Sequence, residues 1–504
     1  MDATRLQAIE YKPRVFIITD IGNEPDDAES LTRYLLYSNE FDTKGVVACT
    51  SCWMKSRVQP ELIEKIVHAY ANVRDNLNAH VHPSNPYPTA HNLLSVVRAG
   101  PAVYGREALK QPLSPGAELL VQQLKESSEG EPLWILCWGG TNVLAQALQY
   151  IHQTMDATES AKLRSRLRVY AISDQDDTGL WIRVSWPDIF YICSVHAWKD
   201  YNQATWIGIS GDRLSHFDEG GPDFTKVSKE WLKENIQVGD FGGEVYPDYS
   251  FAMEGDTPTF LYLIQNGLGS PEHPEWGSWG GRYALIDLGG ATRHYADTHD
   301  TVVGKDGRQH HSNQSTIWRW RDQFQDDFAA RMRWTLSADL SSANHAPVVI
   351  VNNIASGVKP IELDVPAGSE IVLDASQSYD PDGDELSFTW IFYKEATSAH
   401  ATIQWIVPDL EWETLPNSPN GSTIRVKMPP PEKCTVDLIN GQALEKGQAF
   451  HLILQVRDSG TPRMTSYKRI ILQSTNLQLL GGTGKRFDTF TDVLHSGLLG
   501  DVLH

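Results

Sequence analysis

Short runs of consecutive apolar residues in the first part of the chain predict strands that are buried on both faces. They begin at Val15, Lys44, Pro132 and Leu167, and each lacks the alternation of a half-exposed strand. Apolar residues between these runs recur every three or four positions, as in 59–75, which predicts amphipathic helices. Alternating strands and helices indicate an α/β fold: a mostly parallel sheet with helices on both faces.

Beyond a polar linker the hydrophobic pattern changes to alternation. Residues 370–374, 386–390 and 450–456 show this pattern between turn signals, which predicts a small β-sandwich. We therefore divide the chain into a first domain, a β-module and a tail, at residues 1–340, 346–475 and 476–504.

Polar side chains follow three of the predicted strands. They are Asp20, Asn23, Glu24, Asp26 and Asp27 after the first, Thr141 and Asn142 after the third, and Asp174, Gln175 and Asp177 after the fourth. A parallel sheet places these strand ends on one edge, where open α/β sheets bind ligands. Closely spaced carboxylates repel one another unless a cation lies among them, and calcium with its oxygen ligands is the usual solution. The alternative, an acidic helix start capped by Asp26 or Asp27, leaves Asp20 unexplained.

Net charge narrows the range of partners. The chain of 504 residues carries a net charge of -21, which argues against nucleic acid, because phosphate binding needs a basic surface. No stretch approaches the roughly 18 apolar residues of a membrane span, so we predict no membrane partner. The N-terminus lacks an apolar signal segment, but a trimmed secreted chain would look the same, so the compartment stays open.

Residues 19–28 resemble a known motif. Asp20-Ile21-Gly22 followed by Asp26-Asp27-Ala28 resembles the Asp-x-Gly-x-Asp-Asp-Ala signature of the calcium-dependent nucleoside hydrolases. The longer motif, Thr-Asp-Ile-Gly-Asn-Glu-Pro-Asp-Asp, is similar to that of a divergent nucleoside hydrolase-like branch. Some members of this branch are described as cellulose-binding. Gly139-Gly140-Thr141-Asn142 resembles that family's Gly-Pro-x-Thr-Asn turn. In the β-module, residues 374–384 resemble Ig-like modules of the polycystic-kidney-disease type, and the loop 380–384 is either a calcium site or an acidic turn.

This resemblance implies a calcium-dependent hydrolase of an N- or O-glycosidic bond. It implies calcium bound by Asp20, Asp27, the Thr141 carbonyl and Asp256, with Asp20 as the general base that activates water. The Gly- and Pro-rich segment 269–283 predicts a loop lining a sugar site or, alternatively, a lid or subunit contact. The substrate-binding candidates are Asn23, Glu24, Asp26, Asn142, Asp174, Gln175, Asp177, Trp181, Glu254, His273, Trp276 and Arg282. Asp174, Asp177, Glu254 and His273 are also the candidates for the general acid.

The chain also departs from the nucleoside hydrolase pattern. Ile18 stands where that family has an aspartate, and the family's ribose-binding Glu-Phe-Asn segment has no match. These departures favour a non-ribosyl glycoside over a nucleoside as substrate. The main alternative is a carbohydrate-binding protein that keeps the metal site but does not catalyse a reaction. A third interpretation, a structural scaffold with a metal-stabilised acidic loop, explains less of the convergence of polar residues at the strand ends. A homodimer is compatible with either reading.

Overall fold

The apolar runs form the central strands of one large sheet. The structure, a computed structural model, describes residues 2–211, 217–287, 289–354, 357–397, 407–437, 443–477 and 490–495. The strands of this sheet are β1 (Arg14–Thr19), β2 (Asp42–Ala48), β3 (Val97–Ala99), β4 (Leu133–Cys137), β5 (Leu167–Ser173), β6 (Phe190–Ser194), β7 (Tyr283–Leu285) and β8 (His294–Asp297). Their order across the sheet is β3-β2-β1-β4-β5-β6-β8-β7, and β7 alone of these strands runs antiparallel to its neighbour.

Helices cover both faces of this sheet. They are α1 (Asp26–Leu36), α2 (Pro60–Ala71), α3 (Arg74–Ala79), α4 (Ala90–Ser95), α5 (Pro115–Lys125), α6 (Asn142–Thr154), α7 (Ala157–Ser165), α8 (Thr178–Ser185), α9 (Lys229–Asn235), α10 (Gly239–Val245), α11 (Pro258–Leu261), α12 (Ser315–Trp318) and α13 (Arg321–Trp334). A hairpin of β9 (Asp300–Val303) and β10 (Gln309–Ser312) precedes α12. None of the helices in the described part of the chain has both the length and the apolar character needed to cross a membrane.

Two hydrophobic clusters explain why β1 reads as a continuous apolar run. Val15 and Ile17 pack into one cluster with α1 and α2, whereas Phe16 and Ile18 pack into another with α5 and α6. Successive strand residues point to opposite faces, and here both faces are covered. The predicted α/β architecture with a mostly parallel sheet is therefore confirmed.

The β-module is a sandwich of two sheets. Its strands are β11 (Ile361–Pro366), β12 (Glu370–Asp374), β13 (Ser387–Phe392), β14 (Glu411–Thr414), β15 (Thr423–Lys427), β16 (Lys446–Arg457) and β17 (Thr465–Thr475), with short helices α14 (Lys394–Thr397) and α15 (Pro431–Cys434). One sheet has the order β11-β17-β16-β13 and the other β12-β15-β14, and one hydrophobic cluster fills the space between them. The predicted β-sandwich is confirmed. Of the predicted tail, the structure describes residues 476–477 and the helix α16 (Phe490–His495).

The two domains share a core. Tyr393 and Tyr467 of the β-module belong to the same hydrophobic cluster as α1 and α13. The Tyr467 N–H donates to the Asn266 carbonyl at 2.8 Å, and the Tyr393 hydroxyl donates to buried Asp300 at 2.7 Å. The β-module is thus packed onto the first domain through both backbone and side chains.

Candidate functional site

A cavity of about 600 Å3 opens at the carboxyl edge of the sheet. Residues at or just after the ends of β1, β2, β4 and β5 contribute to its wall, as expected for an open α/β sheet. The sequence-predicted residues that line it are Asp20, Asn23, Glu24, Asp26, Asp27, Gln175 and Asp256. The structure therefore brings the acidic stretch after β1 together with an aspartate more than 200 residues away in sequence.

Three carboxylates lie close enough together to share one cation. Asp26 and Asp27 occupy the first turn of α1, and Asp256 precedes α11. Each offers an oxygen that lies within 4.8 Å of the others. Asp27 is oriented by the Thr19 hydroxyl at the end of β1, which donates to its Oδ1. Asp20 lines the same cavity and is 3% exposed.

Burial raises the pKa of each carboxyl in this cluster as long as no cation is bound. Burial raises the pKa of Asp20 to about 6. Burial, followed by the charges of Glu24 and Asp20, raises the pKa of Asp26 to about 8. Burial and the neighbouring carboxylates also raise the pKa of Asp27 and Asp256 well above the ordinary value. Desolvation and like charges both disfavour the ionised form.

The donor set fits a hard divalent cation. Oδ2 of Asp256 is buried and has no hydrogen-bond partner, a costly state for a polar atom. Among the described residues, none of the carboxylates Asp20, Asp26, Asp27 and Asp256 forms a salt bridge. Oxygen-only ligands with several negative charges are the set that calcium prefers.

Glu254, which we predict to contact substrate, does not line the cavity and has buried partners in the structure. Its carboxylate is fully buried and bonds to the Arg33 guanidinium at 2.6 Å and the Tyr246 hydroxyl at 2.7 Å. Its backbone has a left-handed φ of +53°, which a non-glycine residue adopts only when its surroundings impose it. Glu254 thus fixes the turn that presents Asp256.

Thr141 and Asn142, which follow β4, do not line the cavity. The Thr141 hydroxyl contacts Thr178 at 2.7 Å, and its carbonyl accepts from the Ala145 N–H at 2.9 Å. Asn142 donates to the Thr50 hydroxyl at 2.8 Å. Asn142 therefore links two strand ends, and its contact with substrate stays a prediction. The Thr141 carbonyl as a metal ligand stays a prediction based on the resemblance.

Three residues after β5 also have other partners. Asp174 forms a two-bonded ion pair with Arg183, at 2.9 and 2.6 Å. Asp177 accepts from the backbone N–H of Arg106 at 2.8 Å, and the guanidinium of the same arginine lies over Trp181 at 5.8 Å. These contacts fix the loop, and none of the three side chains lines the cavity, so their role in holding the substrate stays a prediction.

The segment 269–283 lies at the domain contact rather than at the cavity. The Trp276 ring stacks on His273 and packs edge-on against His451 of the β-module. Arg282 is buried and pairs with Asp300 at 2.7 Å. The role of this segment as a sugar-lining loop stays a prediction, because dense aromatic and charged groups serve an internal interface equally well.

The rings that line the cavity come from elsewhere in the chain. They are Trp53, Trp138, Tyr201, Trp206, Tyr249 and Phe251. The sequence analysis assigned none of these rings to the site. Trp138 directly follows β4 and Trp53 lies five residues after β2, on the same edge as Asp20, and this position was the available signal. Tyr201 and Trp206 lie in short 3-10 helices, whereas Tyr249 and Phe251 lie outside helices and strands.

The β-module carries a second acidic group. Asp380, Asp382 and Asp384 offer oxygens within 4.8 Å of one another. Oδ1 of Asp380 accepts the backbone N–H groups of the other two, at 2.8 and 3.1 Å, and Asp382 accepts from the backbone of His345 at 2.7 Å. The loop is therefore shaped by its own hydrogen bonds, and any calcium measurement needs a control for it.

Comparisons with known proteins cover both domains. A family model described as "Cellulose-binding Sde182, nucleoside hydrolase-like domain" matches residues 14–283, and one described as "Cellulose-binding protein Sde0182, C-terminal domain" matches 370–474. A solved structure of a nucleoside hydrolase-related hypothetical protein from Saccharophagus degradans, associated with carbohydrate metabolism, is 30% identical, covers 92% of this chain and 100% of its own, and has a TM-score of 0.73. The effector protein XOO4466 is 11% identical, covers 65% of this chain and 95% of its own, and has a TM-score of 0.29, too low to indicate a shared fold. No curated protein matches the chain.

Proposed function

Since the chain belongs to the nucleoside hydrolase-like, cellulose-binding Sde182 family, we propose that it is a calcium-dependent hydrolase of a glycosidic bond in a carbohydrate. The observation that carries this proposal is the convergence of Asp20, Asp26, Asp27 and Asp256 in a cavity with aromatic walls. Carboxylates supply both the ligands for a hard cation and the acid–base groups of glycoside hydrolysis. Aromatic rings fit the apolar faces of pyranoses.

The carboxylates would have distinct roles. Asp26, Asp27 and Asp256 would hold the cation, together with Asp20 and, by resemblance, the Thr141 carbonyl. Calcium, when bound, would lower the pKa of a water molecule and align sugar hydroxyls. The carboxylates bring the negative charge, and Glu254 fixes the turn on which Asp256 lies.

Asp20 is our candidate for the general base. It lies at the end of the central strand β1 and lines the cavity, where it would take a proton from the water that attacks the anomeric carbon. An alkoxide leaving group would need a proton in return. Glu24 lines the same cavity and burial raises its pKa, which suits a carboxyl that must hold a proton for donation.

A non-ribosyl glycoside is the substrate that we favour. The ribose-binding Glu-Phe-Asn segment of the nucleoside hydrolases has no counterpart in this sequence. The cavity walls supply six aromatic side chains that suit sugar rings. The alternative is calcium-dependent carbohydrate binding without hydrolysis, which the family's description as cellulose-binding supports. A protein that only binds would have less need of a carboxylate at Asp20.

The test is calcium content and hydrolysis by the full chain. We expect the wild type to bind calcium and to hydrolyse a glycoside in a screen of aryl glycosides and nucleosides. Asp27→Asn should lose both properties, and Asp20→Asn should lose hydrolysis. Asp384→Asn, which removes a carboxylate of the β-module loop, is the matched control and should keep cavity calcium and hydrolysis. Calcium-dependent binding without turnover would favour the alternative, and calcium content unchanged by Asp27→Asn would refute the metal site.

A further inference from the structure

A second cavity, of about 530 Å3, lies at the amino edge of the large sheet, away from the acidic cavity. Pro13 and Pro132, which directly precede β1 and β4, contribute to its wall. Residues 357–360, which lead into β11 of the β-module, form another side. We call it the junction cavity, because both domains line it. Cavities of roughly 300–1,000 Å3 hold small organic ligands, and contacts between domains are a preferred place for them.

Hydrogen bonds from both domains hold the walls of the junction cavity. The side-chain amide of Gln265 donates to the Tyr11 carbonyl at 2.6 Å. Lys468 of β17 has a buried side chain, and its ammonium group donates to the carbonyl oxygens of Gly357 and Lys359. The wall is therefore fixed before a ligand arrives, which lowers the entropic cost of binding.

The junction cavity has an apolar base and an acidic rim. Trp134, Leu263 and Ile264 line the base and are at most 6% exposed. The charged side chains that line the cavity are all exposed, and they are Glu10, Glu129, Glu272 and Lys359. A matching ligand therefore combines an apolar body, which enters the base, with a polar group that stays at the rim.

One carboxylate of this rim lacks an ionic partner. Glu10 pairs with Lys359 at 3.1 Å. Glu272 forms a bidentate ion pair with Arg168, at 2.9 to 3.0 Å. Glu129 accepts from a serine hydroxyl at 3.1 Å, and it forms no salt bridge within the described part of the chain. The rim thus offers one uncompensated negative charge to a ligand.

We propose that the junction cavity binds an amphipathic organic cation, with an apolar ring in the base and one ammonium group at the rim beside Glu129. Tyr11 lines the same cavity and is 37% exposed, and the face of an aromatic ring attracts cations. An anionic ligand would be repelled by this rim and by the net charge of -21. The site is independent of the hydrolase function proposed above.

Isothermal titration calorimetry of the full chain with three indoles tests this proposal. Tryptamine carries an ammonium group, 3-methylindole carries no charge, and indole-3-acetate carries a carboxylate. We expect tryptamine to bind about tenfold more tightly than 3-methylindole, and indole-3-acetate to bind most weakly. Tryptamine affinity should be equal in calcium and in chelator. An amine held among the carboxylates of the acidic cavity would instead compete with calcium.

Three variants locate the site. Glu129→Gln should lower tryptamine affinity by about tenfold and leave 3-methylindole affinity unchanged. Glu64→Gln, which removes an exposed carboxylate of α2 that does not line the cavity, is the matched control and should change neither. Val358→Trp, which adds a large ring to the cavity wall, should abolish the binding of both ligands.

Several results would overturn the organic-cation site. They are the absence of saturable tryptamine binding, equal affinities for the three indoles, and a tryptamine affinity that Glu129→Gln leaves unchanged. Tryptamine binding that calcium abolishes would also overturn it, because the amine would then occupy the acidic cavity. If Val358→Trp failed to fold, Glu129→Gln and the calcium comparison would still decide the matter.

Discussion

Replacing Asp20 with asparagine tests the electrostatics of the cavity most directly. The side chain is 3% exposed, and its burial raises the pKa from 3.8 to about 6, against the lowering effect of a hydrogen bond from Ser51. The folded calcium-free protein therefore binds a proton more tightly than the unfolded chain does. Its free energy of unfolding should fall as the pH rises from about 4 to about 6, and the loss is complete above that range.

The difference between the ordinary and the raised pKa of Asp20 sets the size of this stability change. At 1.36 kcal/mol for each pH unit, ionising buried Asp20 costs the calcium-free wild type about 3 kcal/mol at neutral pH. Asparagine has a similar shape and carries no charge, so the variant does not incur this cost. Asp20→Asn should thus match the wild type near pH 4 and exceed its free energy of unfolding by up to about 3 kcal/mol at pH 7.5.

In calcium the wild type should have the higher free energy of unfolding, because the cation binds the ionised Asp20 carboxylate and stabilises the folded state. The assay is urea unfolding followed by circular dichroism, near pH 4.5 and 7.5 in chelator and at pH 7.5 in calcium. Asp384→Asn, in the β-module loop, controls for the loss of one negative charge. If Asp20→Asn were less stable than the wild type at pH 7.5 in chelator, this reasoning would be refuted.

Two further substitutions test the surroundings of the cluster. Glu254→Gln leaves the guanidinium of Arg33 buried without its anion, so the free energy of unfolding should fall by about 3–5 kcal/mol, and a loss below about 1 kcal/mol in urea would contradict this role. Gly139→Ala would place a Cβ 2.6 Å from Oδ1 of Asp20, and the displaced carboxylate should lower hydrolysis by up to about 100-fold. Gly130→Ala, where a Cβ meets nothing within 4 Å, should leave the rate unchanged, and equal rates for both variants would contradict the prediction.

The central strands could be predicted because burial on both faces leaves an apolar run in the sequence. The strands toward the two sides of the sheet lack such a run. β3 has three residues, too few for a pattern, and β8 (His294–Asp297) is largely polar and pairs with β6 through its backbone. Only the position of β6 in the folded sheet makes that pairing possible, so tertiary structure decides it.

Some residues of the candidate site could likewise be predicted from the sequence, and others could not. Asp20 and Asp27 were identified because the ends of parallel strands converge and because the sequence around them resembles a known motif. The prediction of Asp256 rested on the family resemblance alone. His273 and Trp276 lie at the domain contact, which composition alone does not distinguish from a sugar site. Tyr201 and the other cavity rings of residues 201–251 depend on how long segments fold back over the sheet, which no local periodicity records.

The backbone link between the domains has a consequence for how this architecture can be reused. Asn266, whose carbonyl accepts from Tyr467 of β17, follows α11 closely, and α11 begins just after Asp256. Domains that meet only through flexible linkers and small polar contacts move independently. Here β17 donates backbone hydrogen bonds to the segment that follows Asp256 and α11. We therefore expect the two parts to unfold in a single transition and to have diversified as one inherited unit.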